Sequence, residues 1–263
     1  MRWRRPSGFG CLLGGLSAVG LLFLFVPLLV LLGRALALRG WEQAPAAGMP
    51  QALALSFATT AVTTLLTVLF GTPLAYLLAR RRFRGRRALE LLIELPIVLP
   101  PAVAGLALLA AFGRRGLFGP LLEMLGIALP FTTAAVVMAQ IFVSAPFFIR
   151  AAQIGFEAVG EDLADAARVD GADERGLFWR LMLPLASRAL AAGAVTSAAR
   201  ALGEFGATIL FAGSIQGRTQ TMPLLIYNVL ERDLGAALWT GVILVGVALL
   251  ALLAAGWLRR AAA

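Results

Sequence analysis

Apolar residues run along this chain in long unbroken blocks, and charge is confined to the gaps between them. Residues 6–33, 43–79, 95–113, 124–149 and 234–258 carry no charged side chain. Each reaches the ~18 residues that a helix needs to cross a bilayer. A sixth block, residues 189–212, is interrupted only by Arg200 and Glu204. The pattern predicts an all-α, polytopic protein with about six transmembrane helices, folded as a single membrane domain over residues 1–263.

Proline punctuates the blocks. Pro73 and Pro146 fall inside the second and fourth predicted spans. Leu95-Pro96-Ile97-Val98-Leu99-Pro100-Pro101 places three prolines in the third. Such a run cannot hold regular helical hydrogen bonding. Either the span starts there with an interfacial turn or it is bent, and a bent span belongs where it is buried in protein or lines a cavity.

The longest polar gap, residues 153–187, has a helical pattern of its own. Over residues 161–170, Leu163, Ala166, Ala167 and Asp170 share one face at i, i+3, i+4 and i+7. Glu161, Asp162 and Asp165 load the N-terminal half, where the helix dipole favours negative charge. Gly171 suits the left-handed turn that ends a helix. A second short helix over residues 173–183 carries Leu177, Phe178 and Leu181, with Pro184 expected to stop it.

Composition sharpens this. The chain has 263 residues, is 60% hydrophobic and only 14% charged, well below the roughly quarter of a soluble domain. The formal charge of +9 would suit nucleic acid, but all 23 basic residues are arginine and they favour alternate gaps. With the N-terminus inside, 16 lie in inner segments (including Arg2, Arg4, Arg5, Arg80 to Arg87, Arg259 and Arg260), against six outside: Arg34, Arg39, Arg114, Arg115, Arg218 and Arg232. That bias places both termini in the cytoplasm, makes the Arg80–Arg87 run a stop-transfer anchor, and leaves no nucleic-acid partner. The 28 uncharged residues from Pro6 exceed a signal-peptide core. Trp3 and Trp41 are interfacial anchors of that first span. Cys11 is the only cysteine and there is no histidine, so no disulfide framework, thiol metal cluster or histidine base is available. Without lysine the chain has no Gly-Lys-Ser/Thr phosphate loop.

The spacing Asp165-Ala166-Ala167, Gly171 and Leu181-Met182-Leu183-Pro184 resembles the cytoplasmic coupling loop of ABC-importer permeases. Asp165 stands where that family usually has Glu. Further segments extend the resemblance across residues 50–258: the proline run above, Gly113-Arg114-Arg115-Gly116, Leu202-Gly203-Glu204-Phe205-Gly206-Ala207-Thr208, and Thr219-Gln220-Thr221-Met222-Pro223-Leu224-Leu225-Ile226-Tyr227. These are similar to the molybdate/tungstate permeases. The Gly-Glu-Phe-Gly stretch is shared with sulfate permeases.

The resemblance implies an ABC-importer permease fold of the molybdate/sulfate type in a bacterial inner membrane. It implies a homodimer, two copies of a separate ABC ATPase, and a periplasmic or lipid-anchored molybdate-binding protein. The permease would be non-catalytic and hold no metal or cofactor, with ATP and Mg on the partner ATPase. Asp165, Ala166, Ala167, Asp170, Gly171, Leu181, Leu183 and Pro184 would form the ATPase-coupling surface.

For the pathway, the candidates are Arg200, Glu204, Thr208, Ser214, Thr219 and Thr221. Arg200 and Glu204, four apart on one helix, can pair with each other. They either line the pathway or form a structural pair at a subunit seam. Gly203, Gly206 and Gly213 are expected as close-packing positions, and Arg114 and Arg115 either meet the binding protein or serve the interface. The alternatives are a sulfate/thiosulfate importer and an ion-coupled secondary transporter, which would need more intramembrane ionisable groups. An intramembrane enzyme has little to work with.

Overall fold

A computed structural model of the chain describes residues 8–260; Trp3, Arg2, Arg4 and Arg5 lie outside them. The order is α1 (Gly8–Ala37), α2 (Gly40–Gln43), α3 (Met49–Arg80), α4 (Arg86–Val98), α5 (Pro101–Phe112), α6 (Gly119–Met124), α7 (Thr133–Glu157), α8 (Glu161–Val169) and α9 (Glu174–Gly176). A π-helical turn (Leu177–Met182), α10 (Leu183–Leu202), α11 (Gly206–Phe211), α12 (Met222–Val229) and α13 (Leu234–Arg260) complete it. No strand occurs among the described residues. Five helical segments are long and apolar enough to cross a membrane, six if the α4–α5 pair counts as one.

Residue chemistry sets the boundaries. Gly48 and Gly85, with φ of 94° and 92°, open α3 and α4. The Thr132, Asp173 and Asp233 side chains accept from the backbone N–H groups of Ala135, Gly176 and Ala236 and cap α7, α9 and α13.

The proline run resolves as a break. A residue preceding proline is pushed out of the helical region. Both Leu99, before Pro100, and Pro100, before Pro101, take extended conformations, with ψ of 134° and 133°. The axes of α4 and α5 then differ by 116°.

Two further expectations are corrected. Pro184 does not end the second loop helix. The chain continues from Glu174 to Leu202 as one 29-residue helical segment, because the π turn carries the chain past the missing Pro184 N–H, with Leu183 N donating to Phe178 O instead. The fifth span does not reach Ala212 unbroken; it stops at Leu202 and restarts at Gly206.

At the centre stands α7, packed chiefly on α10 and α3. Its buried side includes Ala135, Val136, Ala139, Gln140, Phe148 and Phe156. Hydroxyls from α3 (Ser56, Thr59, Thr60, Thr63 and Thr67) are also buried. By contrast α1 exposes nearly all its apolar side chains from Leu12 onward and rests chiefly on α13 and α2. Lipid-facing apolar surface is what a membrane span presents.

Candidate functional site

Two regions concentrate the polar chemistry. At one end of the bundle, α8 projects between α7 and α9. Glu161, Asp162, Leu163, Asp165, Ala166, Arg168, Val169 and Asp170 are exposed, and only Ala164 is buried. Of the expected face, Leu163, Ala166 and Asp170 are exposed, while Ala167 departs from it and, with Ala164, turns inward to a core cluster that includes Phe156 and Leu177. Val169, 87% exposed, adds an apolar tip to that outer face.

Gly171 ends α8 at φ 91° with nothing within 4 Å of where a side chain would stand. Its conformation alone therefore selects glycine. Arg168 joins Asp165 at 2.7 Å and Glu174 at 3.3 Å, tying α8 to α9. The hydrogen bond that Arg168 donates to Asp165 raises its guanidinium above the ordinary range, so it remains charged. A pocket of about 770 Å³ opens between Ala167, Gly171, Asp173, Trp179 and Arg180. Leu181 and Leu183 pack inward on the same core cluster rather than joining the α8 face, and Pro184 is exposed on α10.

The underside of this loop is held by a residue that pattern reasoning assigned only to an anchor. Arg80, the last residue of α3, donates to the carbonyls of Phe156, at 3.0 Å, and Val159 and also reaches the Met182 sulfur. One guanidinium thus joins α3, the C-terminal end of α7 and the π turn. Around it Tyr76 meets Phe156 and Phe178 edge-on at 5.4 and 4.9 Å, and Phe178 meets Trp179 at 5.1 Å. Only the run of arginines was visible in sequence; nothing distinguished Arg80 within it.

The second region lies where two helices are broken. Pro101 at the α5 start touches Gly206 at the α11 start, and Gly105 sits against the Ala207 backbone. In the gap before α11, Glu204 is almost fully buried. Its carboxylate pairs with Arg200 at 2.9 Å and accepts from Ala207 N at 2.8 Å, capping α11. Gln140 of α7 donates to Ala201 O at 3.1 Å and accepts from Thr63 at 3.0 Å, bridging α3, α7 and the end of α10.

The remaining candidates separate into two groups. Thr208, Thr219 and Thr221 are fully buried. Thr219 is engaged with Ile215 N and Gly213 O, while the Thr208 and Thr221 hydroxyls have no protein partner. Ser214 is half-buried and accepts from Asn228 at 2.8 Å and Gln220 at 3.4 Å. Those two amides went unread in the sequence, as did the Phe205–Tyr227 ring contact at 5.3 Å, since no local pattern marks them. Of the expected packing glycines, Gly206 and Gly213 have side-chain neighbours, Pro101 and Phe131, whereas Gly203 has only its own helix nearby. Arg114 lines a pocket of about 310 Å³ with Phe112, Glu123 and Pro130 at the opposite end from α8. Among the described residues no three His, Cys, Asp or Glu side chains are grouped as metal ligands.

Residues 71–262 match the family model described as the binding-protein-dependent transport system inner membrane component. Over 240 residues, covering 91% of each chain, the sequence is 45% identical to the molybdenum transport system permease protein ModB of Mycobacterium tuberculosis. It is also 37% identical over 198 residues to the sulfate transport system permease protein CysW of Synechococcus elongatus, covering 75% of this chain and 69% of that one. Its fold matches a bacterial ABC transporter involved in the import of the acidic polysaccharide alginate, with a TM-score of 0.72 at 17% identity, covering 95% of this chain and 94% of that one.

Proposed function

The chain belongs to the family of binding-protein-dependent transport system inner membrane components, and from that premise we propose that it is the membrane-spanning subunit of an ATP-driven molybdate importer. The likeness to the mycobacterial molybdenum permease over nine-tenths of both chains supports the cargo. The observation that carries the mechanism is the build of α8. It is a surface helix whose outer face bears Leu163, Ala166, Val169 and Asp170, ended by a glycine turn in open space and braced from beneath by Arg80.

In this reading residues 153–187 are the cytoplasmic coupling loop, and the ATPase seats on α8. Asp165 holds Arg168, so its part is to fix the α8–α9 angle as well as to present charge. ATP binds with Mg on that partner and is hydrolysed there, and this chain makes and breaks no covalent bond. Both termini lie in the cytoplasm, a twofold homodimer encloses the pathway, two ATPases engage the two loops, and a periplasmic or lipid-anchored binding protein delivers the anion at the opposite end. Movement of α8 reaches the bundle through Arg80 and the π turn, a rigid-body transmission between packed elements.

Within the bundle, Arg200 and Glu204 neutralise each other, so the pair shapes the α10–α11 break rather than presenting net charge to a dianion. Ser214, with Asn228 and Gln220, offers neutral polar contacts for weak passage. Thr208 and Thr221 carry unused hydroxyls that become available only if the broken helices part.

The test is ATP-dependent uptake into proteoliposomes holding this chain, its ATPase and its binding protein. Molybdate uptake that excess sulfate does not suppress is expected. Uptake of sulfate would move the cargo to the second reading, which the cyanobacterial relative favours. Uptake driven by an ion gradient without ATP would overturn the proposal. Asp165→Arg with Gly171→Pro should abolish both transport and ATPase association.

A further inference from the structure

At the end of the bundle opposite α8, the membrane spans α1 and α13 meet the short helix α2. The crossing is tight: a side-chain carbon on Gly40 would fall 2.2 Å from Gly235 O, and one on Gly235 would fall 2.1 Å from Gln43 Oε1. Over this floor opens a pocket of about 470 Å³ lined by Arg34, Leu38, Gln43, Arg232 and Asp233. It lies at the level where spans end. Arg34 is in the last turn of α1, and Arg232 stands two residues before α13 begins. Trp41 and Trp239 meet edge-on beside it at 5.8 Å, in the manner of interfacial aromatic anchors.

The charges are unbalanced. Neither Arg34 nor Arg232 has a protein ion pair among the described residues. The single carboxylate in the pocket, Asp233, already accepts from Ala236 N as the cap of α13. Two arginines lining one pocket without an ion-pair partner suit a tetrahedral oxyanion, which arginine binds with paired N–H groups. Leu38 and Leu234, 39% and 42% exposed at the rim, suit the apolar part of a molecule rooted in the bilayer.

We infer that this pocket binds a phosphate group, supplied by the headgroup of an anionic phospholipid in that leaflet. The inference is independent of cargo, since it requires only that α1 and α13 cross a membrane. A seated headgroup joins α1, which otherwise has few contacts within the chain, to the start of α13.

Native mass spectrometry of the purified full-length chain tests it, with phosphatidylglycerol and with diacylglycerol of the same acyl chains. The wild type should retain phosphatidylglycerol and not the phosphate-free lipid. Arg34→Gln with Arg232→Gln should lower that retention by about fivefold or more, as expected for losing charge-assisted bonds. A second arm follows thermal unfolding of delipidated wild type with millimolar inorganic phosphate. If phosphate stabilises the wild type but not the double variant, and no lipid is retained, the phosphate site stands with a free anion as its source. Equal retention of both lipids by the wild type, together with no effect of phosphate, would overturn the inference, and this comparison needs no variant to fold.

Discussion

Pro101 and Gly206 touch across the two broken helices: a side-chain carbon added at Gly206 would stand 2.5 Å from Pro101 Cβ. Neither break is independent of the other. The consecutive prolines fix where α5 starts, and only a residue without a side chain lets α11 start against it.

Gly206→Ala should therefore force the α5 and α11 starts apart and destabilise the protein by about 1–3 kcal/mol, the usual cost of overpacking. Thermal unfolding in detergent reads the loss. An unchanged midpoint would mean that the contact relaxes freely.

Arg200 and Glu204 should respond unequally. The Arg200 side chain is 31% exposed and that of Glu204 only 1%. Arg200→Ala strands a buried carboxylate and is expected to cost about 3–5 kcal/mol. Glu204→Gln keeps an acceptor for Ala207 N and leaves a cation with access to solvent, so it should cost less. A double-mutant cycle on unfolding midpoints measures the coupling, and equal losses would show that burial does not govern the pair.

Gln140→Leu removes the bonds to Ala201 O and Thr63 at once, leaving Ala201 O to Glu204 N and Thr63 to Val137 O at 3.5 Å. Losing two buried hydrogen bonds should cost about 0.5–1.5 kcal/mol each. Proteolytic cleavage near residues 203–205 should rise, because Gln140 holds the end of α10 beside that break.

Arg80→Gln should release the Phe156 and Val159 carbonyls and weaken ATPase co-purification while the chain still inserts. Lysine at that position should rescue little, since an ammonium cannot reproduce the planar fork that spans three elements. Full rescue by Arg80→Lys would reduce its part to charge alone.

Gly171→Ala has open space but the wrong backbone conformation, φ 91°. It should cost about 1–2 kcal/mol locally, read as faster amide exchange across α8. Arg168→Ala, on an exposed pair screened by solvent, should leave the unfolding midpoint nearly unchanged.

By itself the sequence determined the elements whose signal is local. Long uncharged blocks specify membrane helices because the bilayer penalises charge over a fixed thickness. Consecutive prolines specify an irregular backbone because each restricts the residue before it, though the choice between an entry turn and a bend fell to the structure. The Asp-Ala-Ala and glycine spacing specifies a short helix with a left-handed end, and the family followed from those same segments. What only the tertiary structure decided depends on which elements meet. Arg80 was one arginine in a run until Phe156 and Val159 came beneath it, and Gln140 lay unremarked in an apolar span until Ala201 and Thr63 reached it. Pro184 was a helix stop by propensity. Met182 and Ala186 are buried on either side of it, and the chain stays helical through it by way of a π turn in which Leu183 N donates to Phe178 O. The inward face of α8 turned on Ala164. A nine-residue helix offers several half-apolar faces, and only the core beneath it selects one.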